Sequence, residues 1–328
     1  MLQPVISEAQ PVTNAAGGSF HSLFLKRDGS PWAVGDNRYG QLGDGTFNGT
    51  NLPEQIVASN IMAIAGGFGH SLFLKRDGSL WAMGDNRYGQ LGDGTFNGTN
   101  LPEQIVASNV MAIAGGFGHS LFLKRDGSLW AMGDNTNGQL GDGTYSTTNL
   151  PEQIVAGNVT AIAAGARHSL FLKSDGSLWA MGDNQYGQLG DGTYNTTNIP
   201  EQIVTSNVAA ITAGLGHTLF SRNDGSLWGM GWNVSGQLGD GTYNNTNLPE
   251  QILAAYNQIV GQLLNSGEMQ LSFVGVARAN YALDRSAGLS PANWVPQVTN
   301  PAGSFGVLVF TNAPEATTNN FWRIRSVP

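Results

Sequence analysis

Between residues 11 and 252 the chain consists of short, partly alternating stretches of apolar and polar residues separated by Gly, Asp-Gly and Asn. None of these stretches places apolar residues at the spacing of a helix. Residues 70–118 serve as the type copy. His70-Ser-Leu-Phe-Leu-Lys75, bounded by Gly69 and Asp77-Gly78, reads as a strand. Asp77-Gly78 predicts a tight hairpin turn, because a primed turn needs positive φ and Gly supplies it without steric cost. Residues 80–83 return as a second strand ending at Gly84. Residues 85–94, dense in turn formers, predict an ordered loop. Residues 102–106 predict a short strand with Pro102 at its start or on an edge. Residues 110–114 predict the fourth strand of the unit, leading through Gly115-Gly116 to the next histidine.

The pattern recurs without a gap. The five histidines, His21, His70, His119, His168 and His217, follow one another at intervals of 49 residues. Trp32, Trp81, Trp130, Trp179 and Trp228 keep the same step, as do Gln41 and Pro53 with their equivalents. A period of this size marks one unit copied in tandem, and four short strands with tight turns per unit predict a propeller blade. The expected fold class is therefore all-β: a β-propeller of five tandem 49-residue repeats over residues 1–252. Subtracting one period from Pro53 gives Pro4, so Gln3-Pro-Val-Ile6 takes the place of the Pro-Glu-Gln-Ile strand and the chain starts part-way through a repeat. Two readings stay open, a closed five-blade ring and an arc of a seven-blade propeller.

The composition changes after residue 252. Residues 253–258 read as a linker. Residues 259–328 carry Leu271-Ser-Phe-Val-Gly275, Tyr281-Ala-Leu-Asp-Arg285-Ser286, Trp294, Val307-Leu-Val-Phe310 and Phe321-Trp-Arg-Ile-Arg325 between Asn/Pro/Gly turns, which predicts a small β-sandwich.

The net charge of −8 is spread along the chain. The type copy sets Lys75, Arg76 and Arg87 against Asp77, Asp85, Asp93 and Glu103, so no basic face builds up from copy to copy and nucleic acid is not an expected partner. The absence of cysteine removes disulfides, thiolate metal sites and cysteine catalysis. No apolar run reaches the length of a membrane span, and Met1-Leu2-Gln3-Pro4 lacks the features of a signal peptide.

Gly67-x-x-His70-Ser71, Asp77-Gly78, Trp81, Gly84-x-Asn86 and Gly89-Gln90-Leu91-Gly92, with their equivalents, resemble the repeat of the regulator of chromosome condensation family over about three quarters of the chain. The resemblance implies a β-propeller, usually seven-bladed, that acts as a protein-interaction platform. Relatives include a nucleotide-exchange factor for a small nuclear GTPase and a secreted propeller that inhibits β-lactamases. This chain departs from the pattern in having five full copies, no long insertion to act as the exchange factor's wedge, and no basic tail, so exchange activity is not carried over. The C-terminal segment resembles the small β modules that end many secreted bacterial repeat proteins.

Candidate chemistry has to be weighed against structural roles. Equivalent histidines on separate blades stand too far apart to share one metal ion. Their expected role is structural, bonding the backbone of a neighbouring loop. Asp85, Asn86 and Asp93 do not fit calcium-loop spacing and are expected to cap turns. Ser71 follows His70 on a strand and points to the opposite face, so the two cannot pair as nucleophile and base. No catalytic, metal or cofactor site is expected.

The differences between copies carry the functional expectation. After the Gly-Asp-Asn turn the copies read Arg38-Tyr39, Arg87-Tyr88, Thr136-Asn137, Gln185-Tyr186 and Val234-Ser235, and Trp232 replaces the Asp of the other four copies. The second variable loop begins at Phe47, Phe96, Tyr145, Tyr194 and Tyr243, and the pair before each histidine varies as well. Loops held by a rigid scaffold carry function, and Tyr, Trp and Arg anchor interfaces. A partner-binding rim of Arg38, Tyr39, Phe47, Arg87, Tyr88, Phe96, Tyr145, Tyr186, Tyr194, Trp232 and Tyr243 is therefore expected. The competing role for the second-loop aromatics is packing inward as loop core. The expected protein is a monomeric, extracellular or cell-surface, non-enzymatic binder of a protein or glycan. Alternatives are a soluble inhibitor of a secreted hydrolase and a spacer that displays the C-terminal module.

Overall fold

The computed structural model describes residues 10–56, 58–253, 259–263, 268–274, 280–286, 295–301, 307–312 and 321–327. Up to residue 253 the described chain forms five four-stranded sheets, each built from strands consecutive in sequence. In the second sheet these are Ile61–Gly66, His70–Lys75, Leu80–Gly84 and Thr99–Val106. Neighbours pair antiparallel, with Phe73 opposite Trp81 and Ala82 opposite Glu103. All-β blades with tight turns are what the alternation and the Asp-Gly dipeptides imply.

Two details differ from the expectation. Val110–Gly115 is not the fourth strand of the His70 unit. It opens the next sheet, where Ile113 pairs with Phe122. The hairpin through Gly116, whose N–H donates to the His119 carbonyl over 2.9 Å, binds it to its successor. The fourth strand is also longer than expected. It begins at Thr99, because Pro102 sits on a sheet edge where its missing N–H costs nothing.

Alternation decides how the blades stack. Along His70–Lys75, His70, Leu72 and Leu74 face one side, and Ser71 and Phe73 face the other. Leu72, Leu74, Leu80 and Ala82 pack against Phe122 and Met132 of the third blade. Leu23, Leu25 and Ala33 meet Phe73 and Met83 in the same way, and Leu121, Leu123 and Ala131 meet Phe171 and Met181. Each junction presses a Leu/Ala face onto a Phe/Met face. Burying each Leu, Phe or Met of these faces is worth roughly 1.5–3 kcal/mol against solvent exposure.

The chain divides into two compact units, Met1–Phe220 with Gly229–Glu250, and Ser221–Trp228 with Gln251–Pro328. In the second, Ile259–Leu263, Met269–Val274 and Val307–Asn312 form one three-stranded sheet, and Asn280–Ser286, Val295–Pro301 and Phe321–Val327 form another. Leu271, Phe273 and Phe310 of one sheet share a core with Tyr281 and Leu283 of the other. Arg323 Nε donates to the buried Asp284 Oδ2 at 2.9 Å. The strand expected around Pro4, most of the 253–258 linker, and Trp294 lie outside the described residues.

Candidate functional site

The His turn and the long loop after the third strand lie at the same end of each sheet, since His70 pairs with Gly84 and the Asp85 N–H donates to the Gly69 carbonyl over 2.8 Å. A spine of polar contacts behind this end locks the blades together. His70 Nε2 lies 3.0 Å from Ser120 Oγ, and Ser120 Oγ donates to the Gln90 carbonyl at 2.7 Å. His21–Ser71, His119–Ser169 and His168–Thr218 repeat the contact at 2.8, 2.9 and 3.1 Å. The partner is thus the hydroxyl of the next blade, where the sequence suggested a backbone group.

Each hydroxyl spends its proton on the Gln carbonyl, so it accepts from the histidine, which fixes the Nε2–H tautomer. Burial pushes the pKa of His70 and His168 down to about 3 and that of His21 and His119 to about 4. These imidazoles are neutral donors. A serine that already donates elsewhere to a carbonyl is not activated as a nucleophile by the histidine beside it.

The long loop is organised by one buried asparagine. Asn86 Nδ2 donates to Asp93 Oδ1 at 3.0 Å and to the Asn97 carbonyl at 3.1 Å, while its Oδ1 accepts the Leu91 N–H at 2.9 Å. Asp93 Oδ1 accepts the Thr95 N–H at 2.8 Å. These are the turn caps expected of Asn86 and Asp93. Among the described residues no group of three or more His, Asp or Glu is placed to hold a metal ion.

The two sets of expected rim residues fall in different environments. Tyr39, Tyr88, Tyr186 and Trp232 are half-buried at blade junctions. The Arg87 guanidinium lies 4.7 Å from the Tyr39 ring centroid while forming an ion pair with Asp85 at 2.8 Å. Tyr186 stacks on Trp232 with centroids 5.3 Å apart. A Cβ at Gly69 or Gly118 would meet the Tyr39 or Tyr88 ring at 2.9 Å, so each tyrosine covers the turn of the next blade. Arg38 is exposed and pairs with Asp36 at 2.9 Å.

The second-loop aromatics do not pack inward. Phe47, Phe96, Tyr145, Tyr194 and Tyr243 are 52–73% exposed. In the first four blades the loop leading to them is tied outward to the next blade, as where the Gly94 N–H donates to the Asn149 carbonyl at 2.9 Å. There it abuts a fourth strand bearing an exposed aliphatic side chain: Leu101, Leu150, Ile199 or Leu248. The interior of the loop is occupied by the buried Asn86 and its hydrogen-bond partners, and by the equivalent asparagines in the other blades.

At the centre of this end, the turns before the five histidines surround a cavity of about 390 Å³. Phe68 and Phe117 stack there with centroids 4.2 Å apart, and Phe20 meets Phe68 edge-on at 5.5 Å. The variable pair before each histidine was the sequence signal for this cluster, but nothing in the sequence alone brings five separate turns to one point.

A sequence profile of the RCC1-like domain matches residues 2–270. Human WBSCR16 is similar in structure, with a TM-score of 0.68 at 26% identity over 81% of this chain and 70% of that one. Prp20p from Saccharomyces cerevisiae, described together with its binding to Gsp1p and histones, aligns with a TM-score of 0.58 at 20% identity over 74% of this chain and 77% of its own. A comparison with curated protein sequences finds no match.

Proposed function

We propose that this chain, which belongs to the RCC1-like domain family, is a non-enzymatic binding module that grips a protein partner through the exposed aromatics of its second loops. The observation that carries this reading is the outward placement of Phe47, Phe96, Tyr145, Tyr194 and Tyr243, four of them in blades whose loops are tied beside an exposed aliphatic on the next blade. Monomeric surfaces scatter single apolar side chains, whereas a row of apolar pairs repeated on a rigid scaffold suits an interface. Its place of work, outside the cell or on its surface, is part of the proposal and rests on the likeness of the C-terminal strands to modules of secreted proteins; detection of the protein on intact source cells tests it.

The decisive experiment replaces all five aromatics with Ala and compares partner capture from source-cell extract, with near-ultraviolet circular dichroism as a check on the fold. Loss of captured protein with an intact fold supports the reading. Unchanged capture overturns the site, and loss of polysaccharide retention alone would move the partner class to a glycan.

A further inference from the structure

The blade junctions inside the chain repeat three contacts. In the spine, the histidine of one blade donates to the hydroxyl of the next, and that hydroxyl donates back to a Gln carbonyl, as in His21, Ser71 and Gln41. Between the sheets, a Leu/Ala face meets a Phe/Met face. At the loops, Gly40, Gly89, Gly138 and Gly187 hold positive φ against the Thr-Asn start of the next blade's fourth strand, where a Cβ would stand 2.5–2.6 Å from the Asn Cα. Only glycine fits so close an approach. Beside it, the N–H groups of Gly45, Gly94, Gly143 and Gly192 donate to the Asn carbonyls at 2.8–2.9 Å.

Both halves of one further junction stand apart among the described residues. The first blade carries the Ser/Phe half. Ser22, Phe24 and Val34 are half-buried there, where Ser71, Phe73 and Met83 have no exposed surface. The fifth blade carries the His/Leu half, with His217 and Leu219 half-buried where His70 and Leu72 are enclosed. No hydrogen bond joins His217 to Ser22, Ser22 to the Gln237 carbonyl, or Gly241 to Asn51. Gly236 has φ 74° like its equivalents, yet a Cβ on it would meet only the Tyr243 ring, at 3.3 Å. The matching seat on the first blade is open, since Gly35, Thr50 and Asn51 border a cavity of about 610 Å³. Exposure marks the same two blades. Leu52 is 69% exposed against 49–56% for its four equivalents, and Tyr243 is 73% exposed against 52–55%.

We infer that the fifth blade of one chain docks on the first blade of a second copy, and that this contact reproduces the interior junction. His217 of one copy donates to Ser22 of the other, and Ser22 donates back to the Gln237 carbonyl. Leu219 covers Phe24, and Gly236 takes the seat at Thr50 and Asn51. The occupant is a second copy because the two faces are the complementary halves of a contact the chain already makes four times, and both belong to this one sequence. The faces are unlike, so association is head-to-tail, and each docked pair keeps a free face at either end. The chain is then not the monomer expected from its sequence. The inference goes beyond the second-loop reading, to which Ser22, Phe24, His217 and Gly236 do not belong.

Sedimentation velocity on the full chain reads the directional signature of such a contact. The unsubstituted protein should gain mass stepwise with concentration. Phe24→Glu and Leu219→Glu each place a carboxylate on one half, and each alone should associate at least about tenfold more weakly. Mixed, they should form a species of twice the chain mass and nothing larger, because each keeps the half the other has lost. Near-ultraviolet circular dichroism checks the fold of both. Cysteine pairing locates the junction, since the chain has no cysteine of its own. In the interior junctions a Cβ on the loop glycine would stand 2.8–2.9 Å from the Asn Cβ, so a slight shift brings a disulfide into reach. An oxidised mixture of Asn51→Cys and Gly236→Cys chains should give a cross-linked pair, whereas Asn51→Cys with Gly143→Cys should not. A protein that stays monomeric at the highest attainable concentration, or a mixture that forms no cross-linked pair, overturns the proposal. So does a double variant that oxidises only within single chains, which would mean that the first blade is met by the fifth blade of its own chain.

Discussion

The hexapeptide His-Ser-Leu-Phe-Leu-Lys occurs four times, at His21–Lys26, His70–Lys75, His119–Lys124 and His168–Lys173, in the same register against the same hairpin partner. In the last three copies both faces are buried, and Phe73, Phe122 and Phe171 have no exposed surface. In the first, Ser22 and Phe24 are half-buried, and among the described residues no His/Leu face of another blade packs onto them. The fifth blade shows the complementary edge: His217 and Leu219 are half-buried, and the bond from His217 to Ser22 that would continue the spine is not made. One sequence in one secondary structure thus has two energetic meanings, and the neighbouring sheet alone decides between them.

Acid should act most strongly, and mainly on the interior junctions. The buried histidines are held neutral with pKa values of about 3 to 4, against 6.5 when unfolded. Below pH 6.5 the unfolded chain binds protons that the folded chain refuses, so stability falls as pH falls and levels off only near the folded pKa values. Each such group contributes on the order of 1.4 kcal/mol per pH unit in that window. Urea unfolding at pH 7, 6 and 5 should show a loss of several kcal/mol, and His119→Gln should flatten the slope more than His217→Gln. A stability independent of pH between 7 and 5 would contradict the neutral spine.

Packing comes next. Phe122→Ala removes a ring enclosed on both sides and should cost about 3–5 kcal/mol, whereas Phe24→Ala should cost about a third of that, read from the urea midpoints of the two variants. Equal costs would mean that the first blade is covered as fully as the third. The polar pair sharpens the same contrast at smaller scale. Ser120→Ala strands the His70 Nε2–H and the Gln90 carbonyl and should cost about 2 kcal/mol. Ser22→Ala breaks no such relay and should stay within about 0.5 kcal/mol.

Much of the fold was legible because alternation and period act together. A strand that buries His and Leu on one face and Ser and Phe on the other, repeated every 49 residues, has to meet its own copy through unlike faces. The His–Ser contact at a separation of 50 residues follows from that logic, although the expected partner was the backbone of a neighbouring loop, because local spacing does not show which face of the next copy meets the histidine. The boundary between sheets was less legible. Residues 107–109 and the turn at Gly115–Gly118 carry similar local signals, and only hydrogen bonding across the Gly116 turn assigns Val110–Gly115 to the next blade.

By itself the sequence determined the unit, its strands, its turns and the unlike character of its faces, since these follow from side-chain alternation and the φ preferences of Gly and Asp-Gly. Only the tertiary structure decided that Phe47 and its equivalents point outward, that Tyr39 and its equivalents cover junctions, and that Phe68 and Phe117 stack in one cavity with Phe20 edge-on to Phe68. The reason is physical. Whether a ring is loop core or surface depends on what already fills the space beneath it, and that space is made by residues from other blades.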